Sequence, residues 1–494
     1  MAATDQAMTP GGGGNWVLGF WTPRRLIFPI LVILATFMIF TGRAPGLADA
    51  DYYWHLATGE LIWTAQALPE GDPFSWTFEG RPWVLHEWAF QVLLYLWEDL
   101  TGPLGVVAGT AVLTALAAYI AFSTADRMIR RPMLSFGLLL VFSAGIAAAA
   151  APRPHLFSLI FFAITLALFF EAKYGVRRWP LIFVPVMMVG WVNLHGAYAI
   201  GIATIFAFAV LEWVNLALRY KDKRQFQFCL WLTVLAPATL AAALVNPDGI
   251  KHLEYPFYTL GLDLFGKILE WGSIMDSPWR GPWHALAGVV FLVIVLRRGW
   301  PMDATEVLFP AALFIAGLIQ ARHAYFATLA MMVFVAPALW NRDVVSPVVG
   351  GTAGKLVCWV VALAALAVPL GLARSQYFKA IESVMPSDVA TYLAQAAPPG
   401  RMFNDLNIGG YLIANLPEEQ KVFIDGRVDL YGDLFFRAYH DTINGAVPLS
   451  RHFDGWEIGH VVVAHGHALK QLLLQRGDYE LVFDGRSHAV LVRR

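Results

Sequence analysis

Long apolar runs recur along the sequence, and they constrain the fold more than any other feature. A helix that crosses a bilayer needs about 20 mostly apolar residues. Runs that meet or approach this length lie at 26–42, 104–125, 133–151, 155–172, 181–198, 200–218, 227–245, 283–296, 306–321, 324–340 and 355–374. The sequence therefore predicts a polytopic α-helical membrane protein with about eleven transmembrane helices.

The composition agrees with this interpretation. Hydrophobic residues make up 58% of the chain and charged residues 14%, whereas soluble domains are roughly 45–50% apolar and about 25% charged. The formal net charge of -1 gives no indication of a clustered basic surface. Because nucleic-acid recognition requires such a surface, we expect a lipid bilayer and no nucleic acid among the partners.

Basic residues occupy every second connection between the apolar runs. These clusters are Arg24/Arg25, Arg127/Arg130/Arg131, Lys173/Arg177/Arg178, Arg219/Lys221/Lys223/Arg224, Arg297/Arg298 and Arg342/Lys355. The positive-inside rule places such connections in the cytoplasm. We therefore expect a cytoplasmic N-terminus and, after eleven crossings, a C-terminal part on the external side.

The chain divides into three predicted segments. Residues 1–25 form a Gly-rich cytoplasmic leader that we expect to be disordered, and residues 26–374 form the transmembrane domain, with a large first external loop at 43–103. Residues 375–494 are predicted to be a small external α/β domain, because short apolar strand candidates alternate there with helix candidates. The strand candidates are 401–403, 422–424, 461–463, 481–483 and 489–492, and the helix candidates are 386–395 and 467–476.

The connections without basic clusters have a different chemistry. They contain His, Asp, Glu, Asn, Trp and isolated Arg residues and lie at 43–103, 152–155, 193–198, 246–283 and 320–323. Polar and ionisable residues gathered at one end of a helix bundle often mark a functional site. We therefore expect the site on the external face.

The first external loop holds the most informative stretch, residues 49–88. Asp49 and Asp51 precede an aromatic run with Trp54 and His55, the pattern of 53–66 predicts a helix lying in the membrane interface, and 86–88 reads HEW. A carboxylate there can accept a proton, and paired carboxylates can hold a divalent metal, so Asp49 and Asp51 are candidate ligands of Mg or Mn. Alternatively, both acids simply face water and cap the helix.

Seven short motifs spread over nearly the whole chain carry a family resemblance. They are WHLATG at 54–59, DPFS at 72–75, HEW at 86–88, RPH at 153–155, NLHG at 193–196, NPDG at 246–249 and FIDGR at 423–427. With the acidic first loop, they make the chain resemble the GT-C superfamily of membrane glycosyltransferases, which includes oligosaccharyltransferase and mannosyltransferase subunits. The chain resembles a group of bacterial GT-C-like membrane proteins of unsettled activity more than it resembles oligosaccharyltransferase subunits. The WWDYG signature of oligosaccharyltransferases is absent, which counts against peptide N-glycosylation.

The resemblance implies a bacterial inner-membrane location, with the C-terminal domain in the periplasm or outside. It also implies that Asp51 or Asp49 takes the place of the superfamily's catalytic aspartate. Asp51 is preferred because its D-x-x-W-H spacing matches. We predict Glu87 and His86 as supporting catalytic residues.

Other candidate residues lie at separate helical ends on the same face. The predicted substrate-binding residues are Trp54, His55, Arg153, His155, Asn193, His195, Arg322 and His323. Arg153 and Arg322 are suited to a donor phosphate because a guanidinium binds phosphate oxygens bidentately. Alternatively, they only extend toward lipid headgroups. In the C-terminal domain, Asp425, Arg427 and Asp429 contact an acceptor or form an internal salt-bridged turn.

Together these features predict a glycosyltransferase that transfers a hexosyl or pentosyl group from a polyprenyl-phosphate donor to an envelope glycan, lipid or protein on the external face. The alternative is a non-catalytic GT-C-fold scaffold or partner subunit that works with envelope-assembly proteins. A transporter is disfavoured because transporters tend to place ionisable residues near the bilayer midplane and to use repeated halves.

Overall fold

The computed structural model describes residues 49–147, 149–175, 177–219, 222–261, 271–278, 280–298, 302–340, 384–449 and 453–494. The predicted leader, the apolar runs at 26–42 and 355–374, and the predicted domain boundary at 374/375 lie outside these residues.

A helical bundle forms the first part of the described chain, and each predicted apolar run within it is helical. The helices are α1 Ala50–Ala65, α2 Trp88–Ile129, α3 Pro132–Ala147, α4 His155–Tyr174, α5 Phe183–Leu194, α6 Tyr198–Leu218, α7 Lys223–Ala242, α8 Ile250–Leu260, α9 Arg280–Arg298, α10 Ala304–Ile319, α11 Ala324–Phe334 and α12 Ala336–Leu339. Among the described residues, 6 helical segments are long and apolar enough to cross a membrane. The polytopic helical fold is confirmed, while the number of crossings stays a prediction.

The helix α4 connects two chemically different ends of the bundle. His155 is its first residue and Lys173 lies in its last turn, so about 30 Å of helix separates them. The connections that contain His, Trp and isolated Arg lie at the His155 end, and those with basic clusters lie at the Lys173 end, because successive helices alternate in direction. The two classes of connection in the sequence therefore correspond to two opposite faces.

At the Lys173 end, buried charges pair with one another. Lys173 Nζ donates to Asp303 Oδ2 at 2.7 Å and also to Glu212 Oε1. Arg298 Nη1 pairs with Glu306 Oε2. Loss of one partner from such a buried network leaves an uncompensated charge, so we assign this cluster to stability.

Helices α1 and α2 pack closely, and this contact fixes the first external loop against the bundle. A Cβ atom built on Gly59 of α1 would lie 2.0 Å from the carbonyl oxygen of Gln91 in α2, so only glycine permits this approach. Helix α1 agrees with the predicted loop helix. Helix α2 carries a kink at Gly102, where φ is 67° and Pro103 follows.

The C-terminal part is an α/β unit, as predicted, with a mixed sheet. Its elements are α13 Ser387–Ala396, β1 Arg401–Asn404, α14 Leu406–Asn415, α15 Val428–Ile443, β2 Ile458–Ala464, α16 Ala468–Arg476, β3 Tyr479–Asp484 and β4 His488–Arg493. The strand order is β1-β2-β4-β3, with β1 parallel to β2 and the other neighbours antiparallel. Buried Phe403, Val461 and Leu491 contribute to the core of this unit.

The strand predicted at 422–424 is not part of this sheet. Val422 instead makes an isolated parallel bridge with Ser75 of the first external loop. Nearby, Trp76 Nε1 donates to the Met402 carbonyl at 2.8 Å, and Thr77 Oγ1 donates to the Phe423 carbonyl at 2.7 Å. The first loop and the C-terminal unit are therefore joined by the backbone bridge at Val422 and by two hydrogen bonds from side chains to backbone carbonyls.

A buried arginine strengthens this junction. Arg427 is 1% exposed, and its guanidinium contacts Asp425 Oδ2 at 2.6 Å and Asp72 Oδ1 of the first loop at 2.7 Å. Tyr431 donates a further hydrogen bond to Asp425 at 2.7 Å. For Asp425 and Arg427, the structure thus selects the internal salt-bridged turn over contact with an acceptor.

Candidate functional site

A cavity of about 410 Å³ lies at the His155 end of the bundle, under the C-terminal unit. Its walls come from the first external loop, from the connections at the ends of α3, α5, α8 and α10, and from the start of α15. The polar and aromatic lining residues are Asp51, Trp54, His55, His86, Glu87, Arg153, His155, His195, Tyr255, Thr259, Trp271, Arg322, His323, Tyr325, Phe326 and Asp429. Of the predicted site residues, Asp49 and Asn193 are not in the lining.

Asp49 and Asp51 share one arginine. Asp49 is the N-cap of α1, and its Oδ1 accepts from the backbone N–H of Asp51 at 3.0 Å, as is common at helix starts. Arg153 donates to both oxygens of Asp49, with Nη2 2.7 Å from Oδ1, and it contacts Asp51 Oδ2 at 3.0 Å. Trp54 Nε1 donates to Asp51 Oδ1 at 3.0 Å. The carboxylate of Asp51 is thus held in a fixed orientation at the cavity wall.

This arrangement bears on the predicted metal. Burial raises the pKa of Asp49, but Arg153 lowers it more, so the net pKa lies below its ordinary value. Within the described part of the chain, no group of three or more His, Cys, Asp or Glu side chains is arranged to hold a metal ion. The Mg or Mn site stays a prediction.

Glu87 is surrounded by three imidazoles, His55, His86 and His195, which we call the histidine cluster. The Nε2 atoms of His86 and His195 lie 3.4 Å and 3.6 Å from Glu87 Oε1, and that of His55 lies 3.7 Å from Oε2. Glu87 is 8% exposed and His55 2% exposed. A buried carboxylate therefore has imidazole nitrogens on both of its oxygens.

The electrostatics of the histidine cluster favour one ion pair. Burial raises the pKa of Glu87, but the neighbouring imidazoles, above all His86, lower it to about 2. Burial lowers the pKa of His86, but Glu87 raises it more, so the net pKa lies above the ordinary value. Burial lowers the pKa of His55 to about 4 and that of His195 to about 3. At neutral pH, Glu87 is ionised and His55 and His195 are uncharged.

Hydrogen bonds behind the wall orient His195. Trp191 Nε1 donates to Ser158 Oγ at 2.6 Å, and Ser158 Oγ lies 2.7 Å from His195 Nδ1. An indole N–H can only donate a hydrogen bond, so Ser158 Oγ accepts from Trp191. When Ser158 donates its own proton to His195 Nδ1, the indole, the hydroxyl and the imidazole nitrogen all have a partner. The remaining proton of His195 then lies on Nε2, which faces Glu87.

Arg322 and His155 also line the cavity, each packed on an aromatic ring. The guanidinium carbon of Arg322 lies 4.0 Å above the centroid of the Trp271 ring, and Nε donates to Gln320 at 3.0 Å. His155 stacks on Tyr325, with 5.5 Å between ring centroids, and its Nε2 lies 2.6 Å from the Ala149 carbonyl. An arginine held over an aromatic ring still presents N–H donors from its edge.

Asn193 has a structural place instead of a place in the cavity. Its Oδ1 accepts from Trp88 Nε1 at 2.9 Å, and its Nδ2 donates to the carbonyls of Val189 and Val245 at 2.8 Å each. Both polar ends of the amide therefore join α5 to neighbouring segments. The prediction of Asn193 as a substrate-binding residue receives no geometric support.

Three further residues line the cavity: Tyr255, Trp271 and Asp429. Sequence analysis did not predict Tyr255 or Trp271 as site residues. For Asp429 it left open contact with an acceptor or a place in an internal salt-bridged turn. Tyr255 stacks on His86, with 4.0 Å between ring centroids, and interacts electrostatically with the Asp429 side chain. Tyr255 and Trp271 belong to the connection at 246–283, whose only sequence signal was its position on the same face.

Comparisons with known proteins give a likeness to solved structures. No family model and no curated protein matches the chain. The structure is similar to that of ArnT from Cupriavidus metallidurans bound to undecaprenyl phosphate, at 12% identity and a TM-score of 0.49, covering 97% of this chain and 98% of that one. For ArnT in the apo state, the identity is 13% and the TM-score 0.49, with 96% and 97% covered.

Proposed function

We propose that the protein is a membrane glycosyltransferase that transfers a sugar from a polyprenyl-phosphate donor to an acceptor on the external side of a bacterial inner membrane. The observation that carries this proposal is the cavity in which Asp51, Arg322 and the histidine cluster meet. These groups come from separate connections of one bundle end. The motifs that resemble the GT-C superfamily, 54–59, 86–88 and 153–155, contribute many of the lining residues.

Arg322 is the residue we assign to the donor phosphate. Arg153 contacts both Asp49 and Asp51, so its part is to hold the acid pair. Arg322 lines the cavity, stacked on Trp271, and a guanidinium edge suits phosphate oxygens. Apolar Ile200, Ala203 and Leu260 also line the cavity, which suits the first units of a prenyl chain.

The transfer step forms one bond at the donor sugar, breaks one bond there and moves one proton. The acceptor hydroxyl attacks the anomeric carbon of the donor sugar, and a new C–O bond forms there. The bond from that carbon to the phosphate oxygen breaks, and polyprenyl phosphate leaves with the electron pair. Asp51 accepts the proton of the hydroxyl, which is general base catalysis. Arg153 and Trp54 orient the Asp51 carboxylate for this transfer.

The position of the site supports an external donor. The cavity lies at the bundle end opposite the basic clusters, which the positive-inside rule assigns to the cytoplasm. Nucleotide sugars remain in the cytoplasm, so a site on the external face needs a lipid-linked donor. The C-terminal unit, which covers the cavity, lies on the same side in this proposal.

Complementation of a deletion strain distinguishes the enzyme from the scaffold. Asp51→Asn retains the side-chain volume and an oxygen for Trp54, and we expect it to reach normal membrane levels but fail to restore the envelope glycan. The matched control is Asp276→Asn, because Asp276 is exposed on the same face and does not line the cavity. Full restoration by Asp51→Asn would reject the enzyme and favour the scaffold.

A further inference from the structure

The segment 425–429 of the C-terminal unit covers the cavity, and its residues have separate contacts. Arg427 lies away from the cavity, between Asp425 and Asp72. Gly426 packs on the Asp51 carboxylate, since a Cβ built on it would lie 2.0 Å from Oδ1. Asp429 lines the cavity. This short segment therefore contacts Asp51 of the first loop and also contributes a second acid, Asp429, to the cavity wall.

Asp429 is held by helix α8. The hydroxyl of Tyr258 donates to its backbone carbonyl at 3.0 Å, and Tyr255 interacts electrostatically with its side chain. Both tyrosines belong to α8, so α8 fixes Asp429 relative to the bundle.

Asp429 lines the same cavity as Arg322 and the histidine cluster. His86 of that cluster stacks on Tyr255, which also lines the cavity, and His86 interacts electrostatically with both Glu87 and Asp429. A sugar whose phosphate contacts Arg322 would therefore occupy a cavity whose wall includes the Asp429 carboxylate.

We propose that Asp429 is a specificity-determining residue that binds hydroxyl groups of the donor sugar. The inference rests on the proposed function and names the part of the donor that the C-terminal unit recognises. A carboxylate has two oxygens that accept from adjacent hydroxyls of a sugar ring, and hydrogen bonds to a charged group are stronger than neutral ones. The lipid phosphate alone offers no such hydroxyls, so Asp429 distinguishes a loaded donor from its product.

The test compares two probes on the full-length protein in nanodiscs. One probe is undecaprenyl phosphate, and the other is a panel of undecaprenyl-phosphate-linked glucose, galactose, mannose and xylose. For the wild type, we expect at least one sugar-bearing lipid to bind more tightly than undecaprenyl phosphate. For Asp429→Asn, we expect that lipid to bind about 10- to 100-fold more weakly, with binding of undecaprenyl phosphate unchanged.

Two further variants keep the result interpretable. Asp441→Asn alters an exposed aspartate of the same helix α15 and should bind both probes like the wild type. Tyr255→Phe keeps the Asp429 carboxylate but removes the neighbouring hydroxyl, and we expect a smaller loss confined to the sugar-bearing lipid. Thermal unfolding of each variant identifies any general loss of structure.

Each outcome decides a different point. If Asp429→Asn keeps the wild-type preference for the sugar-bearing lipid, or if it weakens both probes equally, the role of Asp429 is overturned while the proposed function stands. If the wild type binds undecaprenyl phosphate but no panel member more tightly, sugar recognition by Asp429 is also overturned. If the wild type binds neither kind of lipid, the proposed function fails and this inference fails with it.

Discussion

The carboxylate of Asp51 lies directly against Gly426 of the C-terminal unit, so closely that a Cβ on Gly426 would be 2.0 Å from Oδ1. Asp51 belongs to the first turn of α1, and 375 positions of sequence separate the two residues (426 minus 51). The C-terminal unit therefore sets the position of the proposed catalytic acid as well as covering the cavity.

Substitution of Gly426 tests this contact. Gly426→Ala should displace the Asp51 carboxylate, because real Cβ atoms do not approach an oxygen so closely. We expect at least a tenfold loss of sugar transfer, since small misplacements of a catalytic group are costly. Turnover by the purified protein measures it. The control is Gly455→Ala, where a Cβ meets nothing within 4 Å; equal activity of both variants would contradict the account.

The two aspartates of the first loop should differ in importance. Asp51 lines the cavity, whereas Asp49 caps α1 and binds Arg153. Asp49→Asn keeps a good N-cap but removes the charge that pairs with Arg153, so we expect some loss of stability and a modest loss of transfer. Asp51→Asn should lose about 10²–10⁴-fold, the usual contribution of general base catalysis. Rates for both variants under saturating donor provide the comparison, and a larger loss for Asp49→Asn would reverse the assignment.

The buried arginine at the domain junction should matter for stability. Arg427→Met leaves Asp425 and Asp72 buried without their cation, and we expect roughly 3–5 kcal/mol of destabilisation. Arg437→Met is the control, because that side chain is 46% exposed and its loss should cost little. Thermal unfolding in the same detergent compares the two. A stability of Arg427→Met equal to that of the control would show that the junction does not depend on this residue.

Features of the fold and the site that depend on neighbouring residues were predictable from the sequence, whereas features that depend on contacts between distant segments were not. The helices of the bundle and α1 follow from the apolar pattern of neighbouring residues, and the gathering of Asp51, His86 and Arg322 at one end follows from alternation of the connections. The partner of Val422 did not follow, because an apolar strand candidate carries no record of which segment it pairs with. The same limit applies to Asp429, whose neighbour Asp425 has an equally acidic side chain but a structural role.

The contacts of the Asn193 side chain did not follow from the sequence either. Its position beside His195 at the end of α5 favoured a place in the cavity. The helix places its amide toward Trp88 and two backbone carbonyls instead. Sequence position fixes the end of the bundle at which a side chain lies, while its direction depends on packing with distant helices.

Stability should depend on pH through the Glu87–His86 pair. The pKa of His86 is raised, so its stabilising contribution is full below its ordinary value of 6.5 and is lost as pH rises through the higher folded-state value. The pKa of Glu87 falls from 4.5 to about 2, so its contribution is full above 4.5 and is lost as pH falls toward 2. The pair therefore stabilises most between about pH 4.5 and 6.5.

Glu87→Gln measures this contribution. The variant should be less stable than the wild type by on the order of 3 kcal/mol within that window. The difference in stability between the wild type and Glu87→Gln should shrink at pH values above that window, as His86 deprotonates. His55, His195 and Asp429 also face the Glu87–His86 pair. The same unfolding series on His195→Gln measures how much such a neighbour contributes to the pH dependence of stability. A wild-type advantage that grows steadily from pH 6.5 to 9 would contradict the ion pair.

The central claim is that the cavity around Asp51 breaks the bond between a sugar and polyprenyl phosphate. The most direct measurement is the release of undecaprenyl phosphate from undecaprenyl-phosphate-linked sugars, followed by mass spectrometry with purified protein in nanodiscs. We predict release by the wild type, through transfer or slow hydrolysis, and its loss in Asp51→Asn with Asp276→Asn unaffected. No release by the wild type from any such lipid, or equal release by Asp51→Asn, would contradict the claim.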